Sequence, residues 1–125
     1  GWLPEGLRRV DPAARDGAAI GPFGVMGGHM QPQGHLQMIV NTIDYGMNPQ
    51  ASLDAPRWQW QAGQRVTAEA PADPAIAGDL LGRGHALESG AEDLSFGCGQ
   101  IIWRLENGAY VAGSDSRADG LAIGF

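Results

Sequence analysis

PFGVMGGHMQPQGHLQMIVNTIDYG, residues 22–46, decides the fold. Pro22-Phe23-Gly24-Val25-Met26 is an apolar run too short for a helix, and it reads as a strand. Gly27-Gly28 follows, then Gln31-Pro32-Gln33. Leu36, Ile39, Val40 and Ile43 recur at i, i+3, i+4 and i+7, which predicts one apolar face of an α-helix. Pro32 suits the first helical turn, where a missing N–H costs nothing, and Gly46 suits a left-handed C-cap. The order is strand, glycine turn, helix. Paired glycines let another group approach the backbone, because no Cβ stands in the way. Just before a helix, free N–H groups and the positive end of the helix dipole converge. Such a place can hold an anion or the oxyanion of a tetrahedral intermediate, although most turns of this kind are only turns.

Outward from this unit, Asn48 and Pro49 form an N-cap and first helical residue, and Pro56 excludes helix at Ala55, so a second helix is one to two turns long. Asn48 and Asp54 read as capping and turn-making groups. Residues 57–61, RWQWQ, alternate and predict a strand with one covered face, and residues 65–70 predict another. Trp58 and Trp60 read as core or interface. Asp73-Pro74 opens a third helix whose apolar side is Ile76, Ala77, Leu80 and Leu81, closed by Gly84. A short strand at 85–88 and an acidic loop at 89–95 come next. Strands at 99–105 and 109–113 are joined by Glu106-Asn107-Gly108, a hairpin signal. Residues 1–21 are an irregular leader with an edge strand near Ala18, and Arg15-Asp16-Gly17 suits a hairpin turn before Phe23. Strands mixed with amphipathic helices predict an α+β layered fold.

A chain of 125 residues is one domain by length and can bury roughly two-thirds of its unfolded surface. It has no apolar run of membrane-spanning length and no secretory signal at its start. Its net charge is −6, and its eight basic residues are scattered arginines, which argues against nucleic acid or an anionic membrane as partner. The single Cys98 excludes an internal disulfide and leaves the compartment open, bacterial cytoplasm or periplasm.

MGGHMQPQGHLQMIVNTIDYGMNPQASLDAPRW (26–58) resembles the small-subunit core of the gamma-glutamyltransferase (gamma-glutamyltranspeptidase) family, in particular the branch with a GVMGG-x-MQPQGH pattern. FGCGQIIW (96–103) agrees, and GSDSRADGLAIGF (113–125) is similar to the family ending GSDPRxDGxAxGY. The resemblance covers residues 22–125 and marks them as the C-terminal region of a small subunit. It implies part of an αββα sandwich of the N-terminal nucleophile (Ntn) hydrolase type. It also implies a precursor that cuts itself into large and small subunits. The threonine exposed by that cut attacks a γ-glutamyl amide, with its own α-amine as base, and the acyl-enzyme is hydrolysed or transferred. No cofactor is implied. The implied partners are the large subunit, the N-terminal part of the small subunit, and γ-glutamyl substrates such as glutathione.

By the resemblance, Gly27 and Gly28 match the pair whose backbone N–H groups form the oxyanion hole. His29 stands where related sequences carry an acid; it is a surface or capping residue, or a group next to the reacting atoms that tunes charge near the oxyanion. No serine pair precedes Gly27 to hold a glutamyl α-carboxylate. Thr42 and Thr67, the only threonines, lie inside predicted elements, so this chain is expected to lack the nucleophile and to be inactive alone. His35 reads as packing or a hydrogen bond to a neighbouring element. His85 begins a strand. Histidines so spaced, without clustered carboxylates, argue against a metal. Cys98 reads as a small filler, and 114–120 as a tight loop of side-chain-to-backbone bonds. The alternatives are an acylase for other acyl amides, such as glutaryl β-lactams, and a non-catalytic binding or structural domain. Apolar surface left by missing layers predicts self-association.

Overall fold

The computed structural model describes residues 14–15, 17–69, 73–90 and 93–124. Most of the leader, Asp16, Ala70 at the end of the expected second strand, the middle of the acidic loop and Phe125 lie outside the described residues.

Strands β1 (Ala14–Arg15) and β2 (Ala18–Ala19) pair antiparallel, Arg15 opposite Ala18, so the turn expected at residues 15–17 is a hairpin, with Gly17 at φ 81°. Strand β3 (Phe23–Met26), a 3-10 turn (Gly28–Met30) and helix α1 (Gln31–Ile43) follow. Helix α2 (Pro49–Asp54) starts as expected: the Asn48 side chain accepts the Ala51 N–H at 2.8 Å, and Pro49 occupies the first turn. Strands β4 (Trp58–Ala62) and β5 (Arg65–Ala68) make an antiparallel pair. Helix α3 (Pro74–Gly82), capped by Asp73, crosses over to β6 (Ala86–Ser89), parallel to β5. The last hairpin, β7 (Cys98–Arg104) and β8 (Tyr110–Ser114), turns at Gly108 with φ 84°.

Two three-stranded sheets result, β3-β7-β8 and β4-β5-β6. The first carries α1 and α2 on one face. Val25, Met38, Leu53 and Ile101 form the core between them, with Phe23 and Trp103 against it. Each such side chain contributes about 1.5–3 kcal/mol by leaving water. The other face, with Met26, Ile102 and Tyr110, is open.

Two expectations are corrected. The buried side of α1 is Gly34, Gln37 and Met38 rather than the whole of Leu36-Ile39-Val40-Ile43; Leu36 and Ile43 are exposed, Val40 is half-buried, and the half-buried Ile39 lies by Phe23, Ile101 and Trp103 of the sheet. The reason is close contact. Val25 Cγ1 would lie 2.8 Å from a Cβ on Gly34, so α1 meets β3 through its smallest residue. Polar side chains on the same turn of α1 then satisfy strand edges. Gln33 exchanges two hydrogen bonds with the Trp60 main chain and Gln37 two with that of Trp58, as a neighbouring strand would. The second correction is β4, expected to have one covered face: Trp58 and Trp60 are 40% and 52% exposed. Residues 85–88 shift by one, to Ala86–Ser89.

Candidate functional site

The glycine turn closes the gap between β3 and α1. Gly27 has φ 157° and ψ 31° and Gly28 has φ 55°, conformations that side-chain-bearing residues rarely adopt. The Met30 N–H donates to the Gly27 carbonyl at 3.0 Å, which makes the 3-10 turn, and the fully buried Met30 side chain pins the turn to the core. Beneath Gly27 lies Gly97: a Cβ on Gly27 would stand 2.8 Å from the Gly97 Cα. Gly28 has nothing within 4 Å of where its Cβ would be, and it is exposed. Outside the strand ladders, neither the Gly27 nor the Gly28 N–H meets an acceptor among the described residues. The first turn of α1 carries no acidic residue, so its positive end is not cancelled locally. His29 is the exposed middle residue of the 3-10 turn.

Under this turn runs an ion network that sequence reasoning missed. Arg57 is 1% exposed. Its Nη1 donates to the carbonyls of Phe96 (3.0 Å) and Gly97 (2.6 Å), and its Nη2 to Leu53 O and to Asp115 Oδ2 (2.5 Å). Asp115 also accepts the N–H groups of Gly99 and Arg117. Arg117 forks onto both oxygens of Glu69 and reaches Asp115 Oδ1. Burial pushes the Asp115 carboxyl up, but the amides of Arg117 and Gly99 and the Arg57 guanidinium more than offset it, leaving it below the ordinary carboxylate value. Burial likewise pulls Arg117 down, and the hydrogen bonds it donates to Glu69 and Asp115 lift it above the usual arginine value. The 114–117 loop does make the side-chain-to-backbone bond read from sequence, but through Asp115 and Arg117 it also ties to β7 at Gly99, to α2 at Leu53 and to Glu69 just after β5. The only signals for this were a lone Arg before a strand and an Asp-x-Arg spacing.

The remaining candidates are dispersed. His35 joins α1 to β3: its Nε2 accepts the Val25 N–H at 3.3 Å, its Nδ1 lies 2.6 Å from the Gln31 carbonyl, and its ring meets Phe23 with centroids 5.9 Å apart. His85 is half-buried before β6, and its Nδ1 has no hydrogen-bond partner among the described residues. Cys98 is half-buried, its Sγ 3.9 Å from the Arg117 carbonyl. Thr42 is within α1, and Thr67 is buried in β5. Among the described residues, no group of three His, Cys, Asp or Glu side chains is placed to hold a metal ion.

The sequence profile of the gamma-glutamyltranspeptidase family matches residues 13–125. The chain belongs to the gamma-glutamyltranspeptidase family. The match starts ahead of Pro22 and takes in both glycine turn and C-terminal loop. Within the family, the chain is 32% identical over 108 residues to the glutathione hydrolase-like YwrD proenzyme of Bacillus subtilis (strain 168), covering 82% of this chain and 21% of that protein. It therefore spans about a fifth of that relative's length. Among solved structures, cephalosporin acylase from Bacillus halodurans superposes with a TM-score of 0.83 at 50% identity, covering 86% of this chain and 20% of that one. Gamma-glutamyltranspeptidase from Pseudomonas nitroreducens, complexed with L-DON, superposes with a TM-score of 0.77 at 23% identity, covering 90% and 58%. The fold of this gamma-glutamyltranspeptidase-family chain is thus α+β, part of an αββα sandwich of the Ntn-hydrolase type. The sheet β3-β7-β8 with α1 and α2 supplies one sheet and one helix layer.

Proposed function

We propose that this chain is the C-terminal region of a small subunit and carries the oxyanion turn of an autoprocessed γ-glutamyl transferase or hydrolase. The Gly27 and Gly28 N–H groups stabilise the oxygen of the tetrahedral intermediate. An N-terminal threonine on sequence outside this chain attacks, and the acyl-enzyme passes to water or to an amine. The observation that carries the reading is a two-glycine turn ahead of a 13-residue helix, with Gly28 exposed and neither glycine N–H held by a side-chain or loop acceptor among the described residues. His29, exposed beside the pair, tunes charge at the same oxygen. The partners in this reading are a large subunit and the first part of the small subunit, and the chain alone does not turn over substrate. The test is to assay γ-glutamyl anilide hydrolysis by the pure chain and by the chain co-expressed with its upstream sequence. Activity only in the second supports the reading; turnover by the pure chain overturns it. Inactivity of the co-expressed, processed protein on every acyl amide identifies a scaffold without chemistry.

The 50% identity to a cephalosporin acylase favours a second reading in which the same turn serves a different acyl group. Assaying a glutaryl β-lactam beside the γ-glutamyl anilide separates the two.

A further inference from the structure

The oxyanion turn is braced at both ends by a residue the chemistry above does not use. Residues 27–30 join the end of β3 to the start of α1. Their amides can point at one place only if strand and helix keep one relative position. Three contacts fix that position: the Val25 side chain against Gly34, the Phe23 ring against His35, and the Val25 N–H donating to His35 Nε2. Val25 is two residues before Gly27, and His35 lies in the second turn of α1. We infer that His35 is a positioning residue for the oxyanion turn, acting as a neutral, tautomer-locked acceptor that ties β3 to α1.

The tautomer follows from the partners. Nδ1 faces the Gln31 carbonyl at 2.6 Å, so Nδ1 carries the proton and donates it. Nε2 therefore keeps its lone pair and accepts the amide of Val25 at 3.3 Å. A second proton on the ring would turn Nε2 into a donor facing a donor and break the tie. Around the ring, α1 and β3 carry no carboxylate or other basic group, as their sequences QPQGHLQMIVNTI and FGVM show. The 3-10 turn carries His29, α2 carries Asp54, whose carboxylate is taken by Gln50, and β7, which meets α1 at Ile101, carries Cys98 and Arg104. The tie therefore depends on the Nε2 lone pair of His35. No bond of the substrate is made or broken by His35; it acts through the amides of the turn.

The inference rests on Gly27 and Gly28 forming the oxyanion hole, and the experiment separates the two. In the co-expressed, autoprocessed enzyme, His35→Phe keeps a ring against Phe23 but has no acceptor, whereas His35→Gln keeps an acceptor. Three readouts are kcat, KM and the affinity of a boronic acid analogue of the preferred acyl group, whose tetrahedral boronate occupies the oxyanion site. For His35→Phe the expectation is a kcat about tenfold lower, KM within about twofold, and analogue affinity weakened in step with kcat. His35→Gln keeps kcat within about threefold of the parent. Unchanged kcat in His35→Phe overturns the role of His35 and leaves the glycine assignment standing. A fall in kcat with unchanged analogue affinity overturns the glycine assignment and this inference with it. Should His35→Phe fail to process, imidazole 15N shifts of the parent decide: an Nδ1-protonated ring supports the tie, and an Nε2-protonated ring overturns it.

Discussion

Asp115 shows how much one carboxylate holds. Both its oxygens are spent on four donors: Arg57, Gly99 N–H, Arg117 N–H and the Arg117 guanidinium. Asp115→Asn keeps the shape, removes the charge and turns an N–H₂ toward donors. Arg57 is then a buried cation without its counter-charge. Removing one partner of a buried pair costs about 3–5 kcal/mol, and that loss is expected in urea unfolding at neutral pH. The pH dependence has a definite sign. The Asp115 carboxyl is held below its ordinary value in the folded chain, so its contribution is complete above the ordinary carboxylate range and drains away as pH falls through the lower, folded value. Unfolding free energy measured from pH 6 downward should therefore fall more steeply for the parent than for Asp115→Asn, the two curves converging in acid. Parallel curves would remove the carboxylate from this account. Nothing in the sequence announced Arg57: a single arginine before a strand is ordinary, and only the fold brings it within reach of a loop 58 residues away. Asp115 was legible as a loop-maker because its bond to the Arg117 amide is local.

At the scale of elements, local chemistry was readable where it is self-contained. Asn48-Pro49, Asp73-Pro74 and Asn107-Gly108 start helices and turn a hairpin where their own side chains and dihedral preferences demand. The strand–turn–helix unit at the glycine pair was readable for the same reason. The orientation of α1 was not. Only part of its apolar stripe meets its own sheet, Leu36 and Ile43 being exposed, and the fully buried positions are a glycine, a glutamine and a methionine. Gln33 and Gln37 replace a missing strand along β4, and His35 does the same for β3, so polarity here marks burial against strand edges. Two glycine substitutions test this picture with opposite signs. Gly78, in α3, has nothing within 4 Å of the place an added methyl group would occupy, so Gly78→Ala should stabilise the chain by about 0.5–1 kcal/mol through helix propensity alone. Gly34, in α1, meets Val25 at 2.8 Å, and Gly34→Ala should destabilise by about 1–3 kcal/mol through overpacking despite the same propensity gain. Thermal melting of both variants checks the pair; a stabilised Gly34→Ala would mean that α1 does not sit on β3 as described.

For the whole molecule, the issue is what covers the surface this chain leaves open. In an αββα sandwich each sheet is covered on both faces, by helices on one side and by the second sheet on the other. Here the helix-free face of β3-β7-β8 presents Met26, Ile102 and Tyr110 to solvent, while the outer side of α1 presents Leu36 and Ile43. Trp58 and Trp60 add a third apolar area. The chain spans about a fifth of the glutathione hydrolase-like YwrD proenzyme, and under the proposed function these surfaces are where further sequence packs. Deprived of that sequence, apolar faces of this size associate when about 800 Å² per partner can be covered. The isolated chain is therefore expected to dimerise reversibly. Sedimentation velocity over a hundredfold range of concentration should show a monomer–dimer shift. Ile102→Glu, which places a charge on the open sheet face without touching the core, should move the midpoint at least about tenfold toward monomer, the effect of losing one buried apolar contact of about 1–2 kcal/mol. Leu36→Glu tests the outer side of α1 in the same way, and the variant with the larger shift identifies the face that pairs. A chain that stays monomeric throughout this range, with either variant indistinguishable from the parent, would show that its open faces do not seek a partner. Binding of the upstream sequence would then have to rest on polar contacts.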